Sequence, residues 1–200
     1  MHEWKDRWSR RATLLGTLIA GMFSSTSSPP GHAEDSVEPE MIALVVLANT
    51  FGDLTLDSVR AKLNEVFPGE FLPPRERGSF VIDGPTPGGF LNQAHVPGAA
   101  GIFLLHNVPG PYWEFSDFAK AITDPAIRKK AMAQRCWLSV DRIGQHGSEQ
   151  DGYRFIEQVL AKLAPPDATF LVHPSRLITI PFDDQLRGRL ARAERILPNP

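Results

Sequence analysis

Trp137, Ser139 and Asp141 alternate along the stretch RCWLSVDRI (135–143), whose pattern of apolar residues predicts a β-strand. Alternate residues of a strand point to one face of the sheet, so these three side chains are expected on a common face. A carboxyl group at a strand end could serve as a general acid or base. It could instead cap the loop that follows at 144–147, and this structural role needs fewer assumptions. Asp141 is therefore a catalytic candidate rather than an assigned catalytic residue.

Cys136 is the only cysteine in the chain, which excludes an intrachain disulfide and a zinc site built from cysteines. It could be a nucleophile if His106 or His173 lay next to it in space. Its position in the strand argues for a different role, because it shares a face with the apolar residues Leu138 and Val140. The sequence therefore favours a buried packing cysteine.

His106 and His173 lie at the ends of two predicted strands, at 101–108 and 169–173. Their imidazoles could converge on a metal ion, but no His or carboxylate pair at helical spacing supports such a site, and none is predicted. The sequence also lacks a nucleophile elbow, a phosphate-binding loop, a His-Glu-x-x-His motif and a dinucleotide fingerprint. Asp141, His106 and His173 remain candidates only, and no cofactor is predicted.

The turn VPGPYWE (108–114) places two prolines directly before Tyr112 and Trp113. Prolines restrict the backbone, so aromatic side chains on this turn could contact a partner at low entropic cost. Tyr and Trp are frequent binding anchors, and Trp137 joins them as a candidate binding residue. In the alternative interpretation Trp113 folds inward and closes the end of the sheet.

The elements that position these residues follow from hydrophobic periodicity. The run IALVVLA (42–48) predicts a strand buried on both faces. Further strands are predicted at 79–83, 101–108, 135–143, 169–173 and 177–181, with a possible short strand near 91–96. Helices are predicted after Thr55, over about 115–122, from Asp124 to about Gln134, from Ser148 to the prolines at 165–166, and from Asp183 or Asp184 to Leu197.

This order predicts an α+β fold in which helices cover one face of a mainly antiparallel sheet. The first six elements match the β-α-β-β-α-β unit of ferredoxin-like sandwiches. The remaining elements would form an added α-β-β-α extension at the C-terminus.

Residues 1–40 differ in composition from the single α/β domain expected at 41–197. A basic start and the apolar run at 12–23 precede a Ser- and Pro-rich segment, the order of a secretory signal peptide. Export to the periplasm would follow if residues 1–33 are such a peptide. Met41 directly precedes the first strand, so translation could also begin there, and the protein would then be cytoplasmic.

Charge and hydropathy restrict the partners of the domain. The full chain has 21 basic and 23 acidic residues; without residues 1–33 these fall to 17 and 21, a net charge of −4. Such a domain has no bulk attraction for a phosphate backbone, so nucleic-acid binding is not expected. The apolar run at 12–23 is too short to span a bilayer, which takes roughly 20 residues.

Several stretches together resemble an uncharacterised bacterial family that is known only as a domain of unknown function. They are NVPGPYWE (107–114), RCWLSVD (135–141), GYRFIEQVLAKLAPPDATFLVHP (152–174) and ITIPFDDQL (178–186). The core Trp-Leu-Ser-Val-Asp is the most specific of them, whereas Arg135-Cys136 departs from the small residues expected before it. The likeness spans about 41–195 and favours a start at Met41. It implies a fold but no known activity, so no site residues follow from it.

The sequence favours a non-catalytic binding module that recognises a protein or a small molecule through a sheet face and its loops. The alternative is a hydrolase-like or transferase-like enzyme that uses Asp141 with a nearby His. A structural or immunity-type partner protein is the third possibility. An enzyme needs Asp141 or Cys136 within hydrogen-bonding reach of an imidazole.

Overall fold

The computed structural model describes residues 42–50, 54–68, 71, 80–83, 89–94, 101–112, 119–120, 122–143, 148–176, 178–194 and 196. The chain divides into two units, residues 1–41 and 42–200, and every described residue belongs to the second. The signal peptide and the start site expected within 1–40 therefore lie outside the described residues. Of the helix expected near 115–122 the structure describes residues 119–120, which are helical, and residue 122.

The described residues form seven strands, four α-helices and one short 3₁₀ helix. The strands are β1 (Ile42–Ala48), β2 (Phe80–Asp83), β3 (Gly89–Ala94), β4 (Gly101–Pro109), β5 (Cys136–Ile143), β6 (Phe170–His173) and β7 (Ile178–Pro181). The helices are α1 (Leu56–Val66), α2 (Pro125–Met132), α3 (Glu149–Leu163) and α4 (Asp184–Ala191), with the 3₁₀ helix at Pro174–Arg176.

All seven strands belong to one antiparallel sheet with the order β2-β3-β4-β5-β1-β6-β7. β1 lies inside the sheet, between β5 and β6, and all seven of its residues are buried. This agrees with the uninterrupted apolar run, because a strand covered on both faces has no polar face to alternate with. The predicted α+β class is confirmed.

The six consecutive elements expected to form the β-α-β-β-α-β unit do not form it. That arrangement needs the strand at 101–108 beside β1, but β5 lies between β1 and β4. The difference begins at β3, which was expected only as a possible short strand near 91–96. β2, β3 and β4 pair in succession as a meander, and β4 then pairs with β5, so that β5 rather than β4 lies beside β1 on this side.

One face of the sheet, here called the helical face, carries the main apolar core. Leu44, Val46, Leu138 and Val140 lie on it, and the apolar residues of α1 and α3 pack against it. The rings of Phe103 and Phe155 join β4 to α3 with centroids 4.3 Å apart. Burial of such side chains is worth roughly 1.5–3 kcal/mol each, so this layer holds the helices in place.

Each helix begins at a residue whose side chain accepts a hydrogen bond from a free backbone amide of the first turn. Thr55 accepts from Ser58 N, Asp124 from Ala126 N and Ile127 N, Ser148 from Asp151 N, and Asp183 from Leu186 N. These caps confirm the helix starts expected from the sequence, because Ser, Thr and Asp satisfy amides that have no partner inside the helix.

The last helix is shorter than expected. The sequence predicts a helix that extends to Leu197, but α4 ends at Ala191. Ala193 has a φ of 50°, a left-handed conformation that cannot continue a helix. Arg192 and Arg189 both pair with Glu194 just past this end. Leu197 lies outside the described residues.

Gly152 on α3 provides a test of this packing. A Cβ at this position would come within 2.6 Å of Arg142 Cζ and of Ile42 Cδ1, both of which are held in the core. We expect Gly152→Ala to lower the free energy of unfolding by about 1–3 kcal/mol in chemical denaturation, because the packed site has no room to relax.

Gly188→Ala on α4 is the matched control. The nearest atom to a Cβ there is the flexible end of Arg192, at 3.4 Å. Alanine in an open helix position should add about 0.5–1 kcal/mol. Equal effects of the two substitutions would contradict the close approach of Arg142 to α3.

Candidate functional site

The face of the sheet opposite the helical face, here called the second face, carries the polar residues singled out in the sequence. Three side chains of β5 lie in a row on the second face. The strand register places a residue of β1 on one side of each and a residue of β4 on the other. On β1 these partners are Leu47, Val45 and Ala43, and on β4 they are Val108, His106 and Leu104, opposite Trp137, Ser139 and Asp141 respectively. The common face expected for Trp137, Ser139 and Asp141 is confirmed.

His106 and Asp141 meet on the second face. Nε2 of His106 lies 3.5 Å from Oδ2 of Asp141, and the side chains are 18% and 0% exposed. His106 stands directly opposite Ser139 of β5. Asp141 lies two residues further along β5 on the same face, and it is therefore the diagonal neighbour of His106. The structure thus brings together the carboxyl group and the nearby imidazole that the enzyme alternative required.

Ser139 completes this group, here called the His106 cluster (His106, Ser139 and Asp141). It is fully buried, and its hydroxyl has no hydrogen-bond partner among the described residues. A buried hydroxyl without a partner costs roughly 1–3 kcal/mol, so it marks a position that another polar group can satisfy.

Trp137 and Tyr112 lie at one end of the His106 cluster. The Tyr112 ring meets the Trp137 ring edge-on at 5.3 Å, and Trp137 lies 6.2 Å from the His106 ring. Tyr112 is 1% exposed and Trp137 6%. Tyr112 is therefore packed against a neighbour, which differs from the exposed turn expected from its prolines; edge-to-face stacking accounts for this inward position. Trp113 lies outside the described residues, so both interpretations of it stay predictions.

His173 lies on the other side of the sheet, beneath the first turns of α3. Its ring is 5.0 Å from that of Tyr153, and Ser175 Oγ is 3.2 Å from its Nδ1. Burial, aided by the positive charge of Arg176, lowers the pKa of His173 to about 4. His106 and His173 occupy opposite faces, so the two imidazoles do not converge. Within the described ranges no three His, Cys, Asp or Glu side chains form a group that could hold a metal ion.

Cys136 is buried on the helical face, as its position in the strand predicted. Its Sγ lies 3.0 Å from the carbonyl oxygen of Thr50, to which the thiol donates. Burial, with the negative charge of Asp167 nearby, raises the pKa of this thiol. A protonated, enclosed thiol is a packing group rather than a nucleophile.

Two buried charged residues were missed in the sequence. Arg142 is 4% exposed, and its Nη1 donates to Ser148 O at 3.0 Å. Glu157 is 4% exposed on α3. The sequence spacing does indicate that Glu157 is buried, because it lies four residues after Tyr153 and three before Leu160, on the apolar side of the helix.

The His106 cluster presents an imidazole, a carboxyl group and a hydroxyl, each of which can form hydrogen bonds with a bound molecule. Acyl transfer by Ser139 would also require backbone N–H groups that stabilise an oxyanion. β5 pairs with β4 on one side and β1 on the other, so its amides around Ser139 are engaged in the ladder. The geometry therefore suits recognition of a polar group better than nucleophilic catalysis by this serine.

Comparisons with protein families, with curated proteins and with solved structures find no match to this chain. Of the helices described, none combines the length and the apolar character needed to cross a membrane.

The contact between His106 and Asp141 should appear as a coupling energy. A double-mutant cycle with His106→Gln and Asp141→Asn should give about 1–3 kcal/mol in chemical denaturation, because the pair is shielded from water. The exposed pair Arg60 and Asp57, at 3.0 Å, is the control and should give only about 0.2–0.5 kcal/mol. A coupling as small as that of the control would show that the buried contact is not an interaction.

His173 should make the fold sensitive to acid. Its pKa is about 4 when folded against an ordinary value of 6.5, so the unfolded chain takes up the proton first as the pH falls. Stability from this group is therefore complete above about pH 6.5 and is lost towards pH 4, by at most about 3 kcal/mol. Relative to wild type, His173→Gln should become progressively more stable between pH 7 and pH 4.

An NMR titration of the His173 ring in the full-length protein checks the same point without a substitution. A midpoint near 6.5 would contradict the buried, neutral imidazole.

Proposed function

We propose that the protein is a non-catalytic binding module that recognises a small polar molecule at the His106 cluster on the second face. The observation that carries the proposal is the Ser139 hydroxyl, which is fully buried and has no hydrogen-bond partner among the described residues. Since buried polar groups are nearly always paired, a ligand group at this position would relieve its cost.

The neighbours of Ser139 indicate the chemistry of the ligand. A carboxyl group and a hydroxyl together accept hydrogen bonds, so they suit a molecule with hydroxyl, amide or ammonium donors. The side chain of His106, which is partly exposed, borders the buried carboxyl group. Trp137, 6.2 Å from the His106 ring, would supply an apolar wall for the rest of the molecule.

An enzyme is the second candidate, favoured by the 3.5 Å contact between His106 Nε2 and Asp141 Oδ2. An imidazole beside a carboxyl group can move a proton to or from a bound molecule. The paired amides of β5 argue against an acyl-enzyme at Ser139, so this candidate is restricted to acid–base chemistry.

We also infer that the centre of the domain is a ferredoxin-like unit made of elements that are not all consecutive. β1, α1, β4, β5, α3 and β6 follow one another in β-α-β-β-α-β order, and their strands lie as β6-β1-β5-β4. β2 and β3 would then be an insertion, and β7 with α4 an extension. Neither this unit nor the resemblance to an uncharacterised bacterial family brings an activity, so the function rests on the site alone.

A ligand screen tests the proposal. The probes are small sugars, amino acids, nucleosides and hydroxy acids, added to the full-length protein in a thermal-shift assay and followed by calorimetry. A true ligand should bind Asp141→Asn at least about tenfold more weakly than wild type, equivalent to 1.4 kcal/mol. Binding unaffected by this substitution would place the site elsewhere, and conversion of the ligand would favour the enzyme.

Ser139→Ala should separate stability from binding. Because the hydroxyl is buried without a partner, its removal should leave the free energy of unfolding unchanged or raise it by up to about 1 kcal/mol, while ligand affinity falls. Thr169→Val is the matched control: the Thr169 hydroxyl is also buried but donates to Leu47 O at 3.1 Å, so its loss should cost about 1 kcal/mol. A clear loss of stability in Ser139→Ala would remove the basis of the proposal.

A further inference from the structure

The C-terminal helix α4 is attached to α3 through polar contacts as well as apolar ones. Leu186 and Leu190 enter the core, and the guanidinium of Arg187 donates to three carbonyl oxygens at the end of α3. The acceptors are Ala161 O at 2.9 Å, Ala164 O at 3.0 Å and Pro165 O at 2.8 Å. Ala161 belongs to the last turn of α3, and Ala164 and Pro165 directly follow its end, so Arg187 of α4 caps the C-terminus of that helix.

Glu157 is buried on the side of α3 that meets α4. The residues one and four positions further along, Gln158 and Ala161, both bond to α4, through Ala191 O and Arg187 Nη1. Arg189 of α4 is close enough to act on the Glu157 carboxyl. With 4% of its surface exposed, Glu157 places an ionisable group inside the contact between the two helices.

We propose that Glu157 makes the docking of α4 onto α3 dependent on pH, so that α4 is held firmly in mildly acidic solution and loosens as the pH rises towards 8. A carboxyl group in this interface is accommodated when protonated, and its ionised form gains hydration when α4 moves away. The interface thus favours the protonated form, whereas the opened state favours the charged form.

The charges around Glu157 set the range of pH over which this happens. Burial raises its pKa to about 7, although Arg154 on α3 and Arg189 on α4 both act to lower it. Charged groups on α1 and β5, which also pack against α3, have partners other than Glu157. Glu65 of α1 pairs with Lys162, and Arg142 of β5 donates to Ser148 O. His173 lies beside Tyr153, one turn nearer the start of α3.

The sign and size of the effect follow from the linkage between proton binding and docking. The docked carboxyl has a pKa near 7 and an exposed one has a pKa near 4.5, so the closed state binds the proton more tightly. The stability of docking is greatest below about pH 4.5 and falls as the pH rises through 7. Between pH 6 and pH 8 the opening equilibrium of α4 should increase about tenfold.

Amide hydrogen exchange of the full-length protein, read by NMR as protection factors, measures this opening. In wild type the amides of α4 should lose protection about tenfold between pH 6 and pH 8, while those of β1 change little. Glu157→Gln should abolish this dependence, and Glu65→Gln, an exposed carboxyl on α1, should leave it intact. The same loss of protection in Glu157→Gln, or an equal loss in β1, would overturn the proposal.

A direct titration keeps the test decisive if Glu157→Gln fails to fold. The side-chain carboxyl carbon of Glu157 can be followed by NMR in the wild-type protein. A midpoint near 7 is expected, and a midpoint near 4.5 would overturn the proposal because docking would then take up no proton.

Discussion

The double pairing of β1 is the constraint on which the rest of the structure depends. This strand exchanges hydrogen bonds with β5 on one side and β6 on the other, and both of its faces are buried. Its backbone groups have no access to water, so both neighbouring strands must be in place to satisfy them. The helical face, the second face and the positions of α1 and α3 are all built around this buried strand.

Buried ionisable groups are distributed around that strand on separate sides. Asp141 with His106 occupies the second face, whereas His173 and Glu157 lie on the side of α3. Burial disfavours the charged forms of His173 and Glu157, so their pKa values move in opposite directions, to about 4 and about 7. The two groups therefore give opposite responses to acid, and the pH dependence of the free energy of unfolding should combine both.

Local patterns predicted the elements well, and their spatial order much less so. The apolar run of β1, the caps at Thr55 and Asp124 and the alternation in β5 each depend on a few neighbouring residues, which the sequence displays directly. The strand order depends on β3, whose Gly- and Pro-rich surroundings hide a short strand. The common face of Ser139 and Asp141 was predictable, but the contact with His106 depends on a register across 35 residues of chain, which no local pattern specifies.

The position of β1 also has a consequence for synthesis of the chain. β1 is the first strand of the sheet to leave the ribosome, yet its partners are made much later, at Cys136–Ile143 and Phe170–His173. Until then IALVVLA has two open edges and no charged residue, the features of a segment prone to intermolecular pairing. The nascent chain must keep this segment apart from its own copies until most of the domain has been translated, so slow translation or high expression should favour aggregation over folding.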